Sequence, residues 1–138
     1  MVHALQEGWR VLVPRGILID LRPYSVDVPL EVLHKDGNES AGLVDLSPGI
    51  ALDQAADEAL SSVLRTGIFK RLKSEYFDFA YYWNSVEDLL VDWNEKWKEE
   101  ANLPEVVVER ASSLCKEYAS HARLRVRIQM KLDEFVKQ

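Results

Sequence analysis

A strict alternation of apolar and polar side chains fills residues 123–132. A period of two residues is that of a β-strand, whose successive side chains point to opposite faces of a sheet. The apolar set is Leu124, Val126, Ile128, Met130 and Leu132, and the polar set is Arg123, Arg125, Arg127, Gln129 and Lys131. The pattern therefore predicts a long strand with one apolar face and one basic or solvated face.

The continuous apolar run of Ile17, Leu18 and Ile19 predicts a second strand at residues 17–21, between Gly16 and Pro23. Such runs are typical of strands that are covered on both faces, as in parallel sheets, so we expect this strand inside the sheet. Residues 2–12 place apolar side chains at helical spacing and predict a short helix before it.

A β-hairpin is predicted where residues 30–35 and 40–46 flank Asp36 and Gly37, because an Asp-Gly step tolerates the positive φ of tight turns. Residues 47–67 follow with a Ser-Pro start, one apolar helical face and a final glycine. These features predict a helix.

Aromatic side chains alternate through residues 76–83 and predict a strand with an aromatic face. We expect this face to lie in the core, although it could also stack on a planar ligand. The segment Asn84-Ser-Val-Glu87 resembles a capping box, with Asn84 or Ser85 as the cap, and predicts a helix over residues 85–97. A further helix is predicted to begin at Pro104 and to end near His121.

Strands that alternate with helices over 138 residues indicate one α/β or α+β domain, residues 1–138. A net charge of -6 makes a nucleic-acid partner unlikely as the main function, although the basic strand leaves it open. The single cysteine, Cys115, fits a reducing cytoplasm, and no apolar run is long enough to predict a membrane span.

No motif of a known catalytic class occurs in the sequence. The three histidines, His3, His34 and His121, are scattered, and none has a partner at the spacing of a zinc site. Phosphate-binding glycine loops and nucleophile elbows are also absent. We therefore predict no catalytic, cofactor-binding or metal-binding residue in this chain.

Residues 4–20, which read ALQEGWRVLVPRGILID, resemble the helix, turn and fifth strand of class I S-adenosylmethionine-dependent methyltransferases. In that family a segment like RVLxPGG precedes an apolar strand, but Arg15 stands here where the first glycine is usual. The downstream order is also similar, since the family's last strands close the sheet as an antiparallel pair. The resemblance implies a partial Rossmann-like sheet of about five strands with three to four helices and an inserted hairpin that is not a family element.

The resemblance covers only the second half of the methyltransferase domain, whereas the family binds its cofactor mainly with the first half. It therefore implies no cofactor for this chain alone, and S-adenosylmethionine only if another chain supplies the missing half. It also implies that the strand at residues 17–21 has lost the neighbour at one edge. Because natural proteins cover or pair such edges, we expect a homodimer or a partner protein.

Three functions follow from these observations. The first is a methyltransferase-like domain without independent catalysis that acts as a dimeric or partner-binding module. The second is the substrate-side half of a methyltransferase completed by another chain, and the third is a nucleic-acid module that uses the basic strand. Ligands of open α/β sheets bind beyond the carboxyl ends of parallel strands. The candidate substrate-binding residues are Arg22, Tyr24, Tyr81, Tyr82 and Trp83.

Overall fold

The computed structural model describes residues 1–119 and 121–138. Within them the helices are α1 (Val2–Val11), α2 (Ile50–Arg65), α3 (Val86–Asp92) and α4 (Glu105–Glu117), and the strands are β1 (Ile17–Pro23), β2 (Asp27–His34), β3 (Gly37–Asp45), β4 (Phe69–Trp83) and β5 (Arg123–Lys137). A 3-10 turn precedes α2 and a π-helical turn follows α3. The predicted mixture of about five strands and three to four helices is confirmed, and the class is α+β.

The strands form one sheet in the order β1-β5-β2-β3, and β4 pairs with β5. The pairs β1·β5, β2·β5 and β2·β3 are antiparallel. The predicted hairpin is confirmed as β2 and β3, which are joined by a two-residue turn at Lys35 and Asp36, and Gly37 begins β3 with a φ of 151°. The hairpin is not peripheral, because β2 also pairs with β5.

The chain forms two compact units. The first comprises Met1–Tyr24, Ile50–Phe77 and Gln129–Gln138. It contains α1, α2 and β1 together with parts of β4 and β5. Its core is built from Leu60, Val63, Phe69 and Phe135, against which apolar side chains of α1 and β1 pack.

The second unit comprises Ser25–Gly49 and Asp78–Ile128. It contains the hairpin, α3, α4 and the remaining parts of β4 and β5. Buried side chains of its strands and helices include Leu30, Val32, Val44, Leu89, Ala111 and Leu124. The predicted cap of α3 is confirmed, since the Ser85 hydroxyl accepts a hydrogen bond from the Asp88 amide at 3.0 Å.

Strand β5 changes the parity of its buried residues along its length. In the second unit Leu124, Val126 and Ile128 are buried, as the alternation predicts. In the first unit the buried residues are Asp133 and Phe135, which have the opposite parity. The alternation that the sequence shows up to residue 132 therefore does not predict which residues are buried in the last part of β5, which extends to Lys137.

The predicted burial of the strand at residues 17–21 on both faces is wrong. Within the described residues strand β1 pairs only with β5, in antiparallel orientation, and alternates between exposed and half-buried residues. The half-buried residues include Asp20 and Arg22. Arg22 donates hydrogen bonds to Asp20 and to Asp57 of α2. The apolar residues of the other parity consequently lie on an open face.

Two further expectations need correction. Strand β4 begins at Phe69 rather than at residue 76, and its aromatic face is not a core face: Phe77, Phe79 and Tyr81 are exposed, and only Trp83 is buried. The reason is that β5 is the one strand partner of β4 in the described chain, so little covers its outer residues. The last helix ends at Glu117, before the predicted end near His121.

Candidate interaction surface

The hydrogen bonds between β1 and β5 determine which backbone groups of β1 are free. The Lys137 amide donates to the Gly16 carbonyl at 2.9 Å, and the Tyr24 amide donates to the Gln129 carbonyl at 2.8 Å. Both bonds follow the register of the two strands, so the even-numbered residues of β1 bond to β5. The residues whose amide and carbonyl groups point away from β5 are Ile17, Ile19 and Leu21. We call these three residues the open edge of β1.

The same three residues have exposed side chains. Ile17, Ile19 and Leu21 are 42%, 60% and 50% exposed, whereas Leu18, of the other parity, packs against the core of the first unit. No other strand of the described chain pairs with this edge. Unpaired amides and apolar side chains therefore coincide on one strand, a combination that natural proteins usually avoid.

The neighbouring residues of β5 extend this apolar surface. Half-buried residues of β5 stand opposite Ile17, Leu21 and Pro23 in the register. They are Val136, Leu132 and Met130. The charged Glu134 stands opposite Ile19. The open edge is thus continuous with an apolar sheet face of the first unit, which we call the β1 face.

Arg22, a predicted substrate-binding residue, is fully engaged within the first unit. Its Nε donates to Asp20 Oδ2 at 2.9 Å, one Nη donates to the Asp53 carbonyl at 2.8 Å, and the other donates to Asp57 Oδ1 at 2.6 Å. A ligand site beyond the carboxyl end of β1 requires parallel strands, whereas β1 is antiparallel to its partner β5. The observed role of Arg22 is to tie β1 to α2.

The other predicted substrate-binding residues do not gather around Arg22. Tyr24 is exposed and makes an edge-to-face contact with Tyr76, with ring centroids 5.0 Å apart. Tyr81, Tyr82 and Trp83 belong to the second unit. A substrate-binding role for them stays a prediction.

An aromatic cluster in the second unit contains Tyr81 and Trp83. The Tyr81 ring makes edge-to-face contacts with Phe79 at 5.0 Å and with Trp97 at 4.8 Å between centroids. The buried Trp83 donates its indole N–H to Asp92 Oδ2 at 3.0 Å. These contacts fix the rings against each other and against the π-helical turn, as in a structural cluster.

The basic face of β5 is largely neutralised in the second unit. Arg125 Nε and Arg127 Nη donate to the two carboxylate oxygens of Glu31, at 2.7 and 2.9 Å. Arg123 instead lies over the Tyr82 ring, 5.0 Å from its centroid. Cations that are already bonded to a buried carboxylate offer little to nucleic-acid phosphates, which weakens the nucleic-acid interpretation.

A buried carboxylate also lies in the first unit. Asp133 is 0% exposed, with Lys131 Nζ 3.2 Å from Oδ2 and Arg71 Nε 3.8 Å from Oδ1. Burial acts to raise the pKa of Asp133, but the polar Ser74 and the charges of Lys131 and Arg71 nearby lower it overall. With these two cations beside it, Asp133 has the character of a structural ion pair.

A cavity of about 490 Å³ lies in the second unit. Its lining comprises Asn84, Ser85, Val86, Glu87, Ser112, Cys115, Lys116, Ala119 and Ala122. Cys115 is half-buried. Burial and, secondly, the charge of Glu87 raise the pKa of its thiol, so Cys115 is not an activated nucleophile.

Among residues 1–119 and 121–138, no group of three His, Cys, Asp or Glu side chains is arranged to hold a metal ion. None of the helices in the described part of the chain is both long and apolar enough to cross a lipid bilayer. Comparisons of the chain with protein-family models, curated proteins and solved structures give no match.

The exposed residues of β1 that form this surface are not part of the sequence prediction. A signal for them is present, because Asp20 and Arg22 interrupt the apolar residues at alternate positions and so divide β1 into two faces. The sequence places Met130 and Leu132 on an apolar strand face but does not indicate that this face is open in the first unit. The exposure of the face depends on where the helices pack, and the local pattern carries no information about that packing.

Proposed function

We propose that this chain is a methyltransferase-like domain without independent catalysis and that its function is to bind a second polypeptide by strand addition. The bound segment is an extended strand with apolar side chains at alternate positions, and it pairs with the open edge of β1. The observation that carries the proposal is the coincidence of free backbone groups and exposed apolar side chains at Ile17, Ile19 and Leu21. Strand addition uses both, since the backbone provides affinity and the side chains provide selectivity.

The turn before β1 supports the methyltransferase-like part of the proposal. Helix α1, a turn and β1 follow one another as the resemblance requires. Arg15, at the position where the family usually has glycine, adopts a φ of 63°. This left-handed conformation is the one that glycine adopts without strain. At Gly16 a Cβ would lie 2.8 Å from the Val13 carbonyl oxygen, so this position also favours glycine.

The sheet offers further support. Strands β4 and β5 pair with each other, and β5 is antiparallel to β1. This arrangement is similar to the antiparallel pair that closes the methyltransferase sheet. The finer assignment, a partial Rossmann-like sheet, is part of the proposal, and the hairpin that pairs with β5 remains outside the family pattern.

The absence of catalysis follows from the motifs that the chain lacks. The sequence contains neither the family's glycine-rich loop nor the acidic residue that binds the cofactor ribose. Calorimetry of the isolated chain with S-adenosylmethionine should give no binding heat. Tight binding would contradict this part of the proposal. The lone Cys115 suits a reducing compartment, so we place the protein and its partner in the cytoplasm.

Strand addition can be tested by amide hydrogen exchange. The probe is a synthetic peptide of alternating Val and Thr, added to the chain at high dilution. Slower exchange is expected at the amides of Ile17, Ile19 and Leu21, whereas Leu18 and Asp20 already bond to β5 and should change little. The control peptide has the same length but carries prolines that remove the N–H groups facing the edge. Protection at other residues only, or none at all, would refute the proposal.

A matched pair of variants isolates the edge. Ile19→Lys places a charge on the open edge, and Val91→Lys makes the same change on α3, where the valine is also 60% exposed. Ile19→Lys should weaken peptide binding at least tenfold, and Val91→Lys should not change it. Equal effects would show that the peptide does not bind at β1.

The split-methyltransferase alternative uses the same edge. There the second chain would carry the cofactor-binding half, so S-adenosylmethionine would bind only after the two chains are mixed. The open edge of β1 favours this alternative as well, because the missing half would supply the neighbouring strand. Calorimetry with and without that chain distinguishes the two functions.

A further inference from the structure

We propose that the strand that binds the open edge of β1 is β1 of a second copy of this chain, in an antiparallel pair related by a two-fold axis at Ile19. This inference rests on the proposed function and specifies its partner. The observation behind it is that Ile17, Ile19 and Leu21 are arranged symmetrically about Ile19, in side-chain character and in free backbone groups. An isologous dimer requires such a self-complementary surface.

The register follows from the backbone. With Ile19 opposite Ile19 of the second copy, Ile17 of each chain faces Leu21 of the other. All of these residues direct their amide and carbonyl groups toward the partner. Opposed residues of this kind exchange two hydrogen bonds, so the three pairs would share six.

The register with its axis at Leu21 loses part of this bonding. The next outward position after Leu21 is Pro23, which has no N–H. An axis at Leu21 would therefore set Ile19 against a residue that cannot donate, whereas the axis at Ile19 uses every outward amide of the open edge.

The side chains agree with this register. The apolar side chains of both open edges would lie on one face of the extended sheet, and each chain contributes its β1 face beside them. On the other face Leu18 would stand opposite Asp20 of the second copy. The carboxylate of Asp20 would therefore face an apolar residue of the second copy, and it is already paired with Arg22 of its own chain at 2.8 Å.

Disulfide cross-linking tests the register. In a Cys115→Ala background, Ile19→Cys lies on the axis, where paired Cα atoms are about 5.5 Å apart and within disulfide reach. Leu21→Cys would lie about 14 Å from its own counterpart, since four residues separate the positions. Oxidation should therefore link Ile19→Cys to itself and Ile17→Cys to Leu21→Cys in a mixture, but should not link Leu21→Cys to itself.

Sedimentation velocity tests the backbone bonds. Ile19→Pro removes the N–H that points at the second copy and leaves the bonds between β1 and β5 in place. It should raise the dimer dissociation constant at least tenfold, because each copy loses one donor at the axis. Ile19→Val keeps the N–H and should stay within threefold of the original chain.

Each outcome decides a separate question. A chain that remains monomeric at the highest attainable concentration overturns the homodimer, while peptide-dependent protection of the open edge would still support the proposed function. A dimer in which Leu21→Cys links to itself and Ile19→Cys does not overturns the register. A monomeric chain that also fails to bind the strand peptide overturns both proposals.

Discussion

The Arg125 guanidinium donates to Glu31 Oε2 at 2.7 Å and joins residues 94 positions apart. Glu31 is 4% exposed, and Arg127 bonds its other oxygen at 2.9 Å. We predict that Glu31→Gln lowers the free energy of unfolding by about 2 kcal/mol, because both charge-assisted bonds weaken. Urea denaturation measures this, with the exposed Glu99→Gln as the control that should change it little. An unchanged unfolding midpoint would show that the pair is not stabilising.

The pH dependence of stability should report the same carboxylate. Burial acts to raise the pKa of Glu31, but the hydrogen bonds from Arg125 and Arg127 lower it overall. Because the folded-state pKa of Glu31 is lowered, its contribution to the free energy of unfolding is complete above the ordinary carboxyl pKa. This contribution is lost as pH falls through the folded-state pKa. Unfolding free energies measured from neutral pH into the acid range should decrease less steeply for Glu31→Gln than for the original chain. Parallel curves would contradict the assignment.

The strained turn before β1 predicts a stabilising substitution. Arg15 has a φ of 63°, which costs a residue with a Cβ about 1–2 kcal/mol. Arg15→Gly removes this strain, but glycine also increases the conformational entropy of the unfolded chain, which offsets part of the effect. We therefore expect the free energy of unfolding to increase by about 0.5–1 kcal/mol. Arg10→Gly, inside α1, should instead lose about 1 kcal/mol. Thermal and urea unfolding compare the two variants, and a loss of stability for Arg15→Gly would contradict the observed turn.

Gly42 fixes the close approach of β3 and α4. It has a φ of 130°, and a Cβ there would lie 2.7 Å from Val107 Cγ2. Gly42→Ala should therefore cost about 2–3 kcal/mol through strain and overpacking. A double-mutant cycle with Val107→Ala, followed by urea unfolding, should show that the double variant loses less stability than the sum of the single variants. Strict additivity would mean that backbone strain accounts for the whole effect.

The sequence predicts the elements of this fold well where a local signal is strong. The hairpin of β2 and β3, a cap of α3 at Ser85 and the alternation at the start of β5 are all found in the structure. Each of these signals acts within a few residues and does not depend on which other elements pack nearby.

The exposure of individual faces could not be predicted in the same way. The apolar run of β1 predicts burial on both faces, yet the polar Asp20 and Arg22 occupy the half-buried face because α2 supplies their partners. Phe77 and Phe79 were likewise expected in the core, but β4 has a single strand partner in the described chain. In both strands long-range packing determines which face is exposed, and a period-two pattern does not predict that packing.

The order of the strands along the chain has a consequence for biogenesis. β1 and β2 are synthesised early, but both pair with β5, the strand made last of the five. During translation the apolar residues of β1 and β2 remain unpaired until β5 has been synthesised, and such non-local pairings form slowly. The nascent chain is therefore most vulnerable to misassembly before residues 123–137 leave the ribosome, and chaperone dependence should be greatest in that interval.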